Sequence, residues 1–96
     1  MPFTHIVTFK WSDDTVDSQA IADALKAVVA TVDGVVSYTA GPDIGLSPGT
    51  VDFGLVGVFD DRDSWATYRD NPEHQRIIKE MILPHVDTRT SVQLED

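Results

Sequence analysis

The chain predicts an α+β domain built on a four-stranded antiparallel sheet, and three observations carry that prediction. Residues Phe3 to Trp11 alternate with period two. Apolar residues recur at helical spacing from Val16 to Val32. A second helical region follows a third strand and is interrupted at Asn71-Pro72 before Pro84 stops it.

In the first segment Phe3, His5, Val7, Phe9 and Trp11 fall on one face, with Thr4, Ile6, Thr8 and Lys10 on the other. That is a strand with one side turned to a core. Asp13, Asp14, Thr15 and Asp17 then mark a helix start. Val16, Ala20, Ile21, Ala24, Leu25, Val28 and Val32 form the apolar stripe of a helix over roughly Val16 to Val32, which Asp33-Gly34 ends. Val35 to Ala40 reads as a second strand, Gly41 to Thr50 as a Gly/Pro-rich loop, and Val51 to Phe59 as a third strand. Asp60 or Asp61 caps a helix carrying Trp65 and Tyr68. The helical region restarted at Pro72 buries Ile77, Ile78, Met81 and Ile82, and Arg89 to Leu94 forms the last strand. The order strand, helix, strand, strand, helix, strand is the split βαβ, ferredoxin-like pattern.

With 96 residues, the expectation is one domain spanning 1–96. Sixteen acidic residues against 7 basic give a net charge of −9, which would repel a phosphate backbone, so nucleic acid is not an expected partner. The acids are dispersed, as on a solvated surface. There is no cysteine, no leader-like opening and no long apolar run. A cytoplasmic protein without membrane attachment is therefore expected.

The third strand is apolar on both sides. Val51, Phe53, Leu55 and Phe59 share one face, and Val56 and Val58 share the other with Gly54. Two helices cover only one side of a four-stranded sheet, so the second side meets solvent or another chain. A homodimer packed through sheet faces is the expectation.

The most informative stretch is Tyr68-Arg69-Asp70-Asn71-Pro72-Glu73-His74. On one unbroken helix Tyr68 and His74 would point about a third of a turn apart. Pro72 suits the first position of a new helix, and Asn71 suits the cap before it. One helix therefore ends near Asp70. His74 falls in the first turn of the next, where the helix end favours neutral imidazole, a form able to accept a proton. Plainer roles exist for each group: His74 bonding only backbone or water, His5 as a satisfied core histidine, and Tyr68 with Trp65 as a packing face.

Two other patterns carry little. Gly45-Leu46-Ser47-Pro48-Gly49 has the letters of a nucleophile elbow, but it lies in a strand-to-strand loop with no helix after it. His5, His74 and His85 lack metal-site spacing, so no metal is expected, and His85, just after Pro84, reads as a surface or interface residue.

His5 in the first strand, Gly34-Val35 after the first helix, Asp52 leading the third strand, and the break from Tyr68 to His74 together resemble the stress-responsive A/B barrel (Dabb) family. The resemblance covers almost the whole chain and implies a homodimeric α+β barrel. Members include stress-associated proteins and plant polyketide cyclases that need no cofactor. In those cyclases a histidine just after the proline of helix two is the base, a tyrosine six residues earlier assists, and a strand-one histidine lies nearby. The matching residues here are His74, Tyr68 and His5. Ala20, Ala24 and Ala27 on the first helix are small where the cyclases line their pocket, so an aromatic lining is not expected from them.

The resemblance implies a pocket for an apolar or aromatic carbonyl-containing small molecule, with His74 as base in cyclase-like or enolising proton transfer. The corresponding activity would be that of a cofactor-free lyase or isomerase. The alternative is a non-catalytic stress-response or interaction protein whose histidines are structural.

Overall fold

The computed structural model describes residues 1–96. Its strands are β1 (Phe3–Trp11), β2 (Val35–Pro42), β3 (Phe53–Phe59) and β4 (Val86–Glu95). They form one antiparallel sheet in the order β2-β3-β1-β4, which places His5 on a central strand beside the edge strand β4. The ferredoxin-like pattern is thereby borne out.

Helix α1 (Ser18–Val29) starts later than the apolar stripe suggests, because the Asp17 carboxylate accepts from the Ala20 N–H at 3.0 Å and fixes the first turn there. It buries Ile21, Ala22, Leu25 and Val28 on the sheet. Thr31 and Val32 belong to the turn beyond it, closed by Gly34 at φ +81°. A methyl group on Gly34 would overlap the Ser64 side chain, so that position needs glycine twice over. Helix α2 (Arg62–Asp70) begins with the Asp61 carboxylate accepting from Ser64 N–H at 2.8 Å.

The break at Asn71-Pro72 is present as expected. Helix α3 (Pro72–Ile77) is capped by Asn71, whose Oδ1 accepts from the N–H groups of Glu73 and His74 at 2.9 and 3.1 Å. Where plain helical spacing is expected to run on to Pro84, residues Ile78–Ile82 instead form a π turn, followed by a 3-10 turn over Leu83–His85. Pro84 has no N–H to continue the ladder. One residue earlier the Leu83 N–H bonds the Ile78 carbonyl, five residues back, and the wider turn seats Ile77 and Ile82 in the same core.

β4 is longer than the Arg89-to-Leu94 segment read from sequence, and β3 is shorter by its first two residues. Asp52, just before β3, closes the irregularity in β1 by accepting from the Trp11 N–H at 2.8 Å. Two clusters fill the interior: a largely aliphatic one under α1 and α3, and an aromatic one of Phe3, Phe59 and Tyr68 under α2. The opposite face of the sheet presents Ile6 between Val56 and Val92, with Val58 and Leu94 alongside. Val56, Val92 and Leu94 are 39 to 50% exposed, as the two-sided pattern of β3 anticipates. No helix is long and apolar enough to cross a membrane.

Candidate functional site

The geometry of the site begins with a carbonyl that the helix break sets free. In a continuous helix the Arg69 carbonyl would accept from the N–H of residue 73. Glu73 gives its N–H to Asn71 Oδ1 instead. The orphaned Arg69 oxygen is taken by two side chains, the Gln75 amide and His74 Nδ1, the latter at 3.2 Å. A carbonyl can only accept, so Nδ1 carries the hydrogen and Nε2 of the neutral ring keeps its lone pair. Burial lowers the His74 pKa, and the bond to the Arg69 carbonyl opposes that shift. Desolvation, rather than the helix end, is thus what favours the neutral ring.

His5 is set up in the opposite sense. Its register partner on β4 is Gln93, whose Nε2 lies 3.2 Å from His5 Nδ1. The amide donates to Nδ1, so the hydrogen of neutral His5 sits on Nε2. Burial first, then the charge of Arg89, then His74, pull the His5 pKa down to about 4. Both rings are therefore neutral at pH 7, one offering a lone pair and the other an N–H.

Tyr68 is almost wholly buried, and its ring lies 4.1 Å from that of His74 between centroids. Its hydroxyl is 2.7 Å from that of Tyr38, a residue of β2 that sequence reasoning passed over. Burial pushes the Tyr68 phenol up to about 12. Burial, with its neighbour, raises the Tyr38 phenol further, so both hydroxyls keep their protons and one donates to the other.

His5, Tyr68 and His74 line one cavity of about 180 Å³ between the sheet and the α2–α3 layer. The sequence-selected trio is thus brought together, while the third histidine lies apart: His85 Nδ1 meets Asp13 Oδ2 at 3.2 Å. None of Ala20, Ala24 and Ala27 reaches the cavity, and Leu25 is the contribution of α1. Phe9, Trp65 and Tyr68 give it the aromatic wall that the small residues of α1 argued against. Arg69 stacks its guanidinium 4.9 Å from the Trp65 ring centre and pairs with Asp70. Arg89 and Gln93, both from β4, complete the polar rim, and neither was singled out in the sequence.

An antiparallel ferredoxin-like sheet with a half-enclosed, imidazole-lined cavity defines a class of small α+β proteins rather than one activity. The profile of the Stress responsive A/B Barrel Domain matches residues 3–96, and the chain belongs to that family. A comparison with curated protein sequences gives no match. Among solved structures, a dimeric ferredoxin-like protein of unknown function from Thermobifida fusca YX shares 31% identity with a TM-score of 0.86, over 100% of this chain and 92% of that one. A Dabb family protein from Mesorhizobium loti shares 20% identity at TM-score 0.78, over 99% and 96% of the two chains. SnoaB, a cofactor-independent oxygenase from Streptomyces nogalater, shares 12% identity at TM-score 0.78, over 99% and 92%, a likeness of fold.

Proposed function

We propose that this protein binds a small apolar or aromatic carbonyl compound in the cavity between sheet and helices, and that His74 moves a proton on it without a cofactor. The observation that carries this reading is the bond from His74 Nδ1 to the Arg69 carbonyl, which leaves Nε2 as a base inside a cavity shared with Tyr68 and His5. A ligand proton on carbon or oxygen passes to Nε2. The negative charge left on the carbonyl oxygen is met by the Tyr68 hydroxyl and the His5 Nε2–H. As the ring becomes imidazolium, its bond to the Arg69 oxygen strengthens, and the proton then returns to the rearranged product. Cyclisation and enolisation both follow this course.

The assembly belongs to the same reading. Val56, Val92 and Leu94 leave an apolar strip on the outer sheet face, and several similar structures are described as dimeric. A homodimer packed through that face covers the strip. Light scattering at micromolar concentration should return twice the 10.6 kDa chain mass, and the single-chain mass would contradict the assembly.

Proton transfer is tested with phenylacetone as probe, by following exchange of its α-hydrogens in deuterated water by NMR. The wild-type protein should accelerate exchange above buffer, and His74→Ala should lower the protein's contribution by about a hundredfold or more. Undiminished exchange in His74→Ala removes the assignment.

A further inference from the structure

The rim of the cavity has a charge opposite to that of the protein as a whole. The chain carries 16 acidic residues and 7 basic ones. Yet the cavity is lined by two histidines, two arginines and Gln93, with no aspartate or glutamate among its residues. Three of the four arginines are held by carboxylates: Arg62 by Glu95, Arg69 by Asp70, and Arg76 by Glu73 and Glu80. Arg89 is the exception. Its only side-chain partner is a hydroxyl, with Nη1 donating to Ser91 Oγ at 3.3 Å.

The register of β4 explains where that charge points. Arg89 pairs with Phe9, Ser91 with Val7 and Gln93 with His5, so all three stand on the helix-facing side of the edge strand, opposite the apolar Val92 and Leu94. The hydroxyl of Ser91 lies along that inner face from Arg89, on the way to Gln93 and His5. The effect of the Arg89 charge on His5 fits a guanidinium directed at the cavity. A fixed cation at the lip of an apolar cavity, with every other arginine already neutralised, lacks one component: an anion.

We propose that the ligand is a monocyclic aromatic or unsaturated carboxylate, seated with its carboxylate on Arg89 and its ring against Phe9, Trp65 and Tyr68. The size of the cavity supports one ring, since about 180 Å³ corresponds to about six waters at the liquid volume of ~30 Å³ each. The Gln93 amide, held on His5, adds a neutral donor to the same cavity wall. This inference rests on the cavity being a ligand site, as proposed above, and adds the charge and size of what enters it.

Benzoate and benzamide are matched in size and differ in charge, and they separate the two ideas. Each is titrated into the isotopically labelled full-length protein while the ring signals of His5 and His74 are followed by NMR. Benzoate should shift both rings and bind about tenfold more tightly than benzamide at low salt. Arg89→Gln should erase that preference, and Arg89→Lys should restore part of it. Because Arg89 is exposed on an edge strand, neither substitution threatens the fold. Equal binding of the two probes, or a benzoate preference that survives Arg89→Gln, overturns the anion site and leaves the cavity reading standing. Ring signals that respond to neither probe overturn both.

Discussion

The two helical segments over the sheet differ in kind. α1 is a single uninterrupted helix, and every residue it buries is apolar: Ile21, Ala22, Leu25 and Val28. The segment beside it on the same face, α2 through the π turn, is broken at Asn71-Pro72, widened before Pro84, and buries Tyr68 and His74. α1 runs unbroken from its Asp17 cap and contributes packing. The second segment leaves a carbonyl without a backbone partner, and that deficit orients the His74 ring. Regular structure stabilises the fold, and interruption of it shapes the cavity wall that carries the proposed base.

Three measurements test this contrast. The largest effect belongs to α1. Ile21 is 2% exposed and lies outside the cavity, so Ile21→Ala should cost about 3 kcal/mol in urea unfolding while leaving the NMR signals of His5 and His74 in place. A cost under about 1 kcal/mol would mean that α1 is not the dominant support.

Second comes pH. His5 and His74 have folded pKa values below those of the unfolded chain, so the unfolded state binds more protons as pH falls. Their contribution is fully retained above about pH 6.5 and falls below it, that of His5 being lost as pH drops towards 4. For His5 the loss should be no more than about 2 kcal/mol, allowing for water at the cavity mouth. His5→Gln should flatten the fall in urea midpoint between pH 7 and 4.5 relative to wild type. Parallel curves would show that the ring is not held neutral by its surroundings.

The smallest effect on stability should have the largest local readout. Asn71→Ala removes the acceptor of two N–H groups and should cost about 1 kcal/mol. Glu73 then regains its choice of the Arg69 carbonyl, so the His74 ring should lose its fixed tautomer and show averaged Nδ1 and Nε2 nitrogen shifts. An unchanged ring spectrum would separate the base from the break.

The sequence makes the break legible because Asn71, Pro72 and the spacing to His74 are local signals, readable without knowing the fold. The inward direction of His5 is legible for the same reason, from alternation with Val7 and Phe9. What escapes is what depends on pairing across the chain. Tyr38 meets Tyr68 from a different strand, and no spacing rule joins them. Arg89 and Gln93 are set by the register of β4 on β1, where the polar residues of an edge strand face inward and Val92 and Leu94 face outward. That reverses the usual direction of an amphipathic strand. The two-sided apolar pattern of β3 is the one sequence clue that the outer face is apolar as well. The small residues of α1 mislead because Ala24 and Ala27 line a groove against α3 instead of the cavity.

The partner that holds the His74 ring is a main-chain oxygen, and this separates two kinds of information in the molecule. Whatever side chain stands at position 69, the oxygen remains, so the tautomer of the base survives substitution there. On the proposed reading, preference for one ligand over another lies mostly in replaceable groups at the lip, on a solvent-facing border of the sheet. A relative of this protein could therefore change what it accepts by altering that border, while inheriting the aim of its proton acceptor unchanged from the course of the backbone.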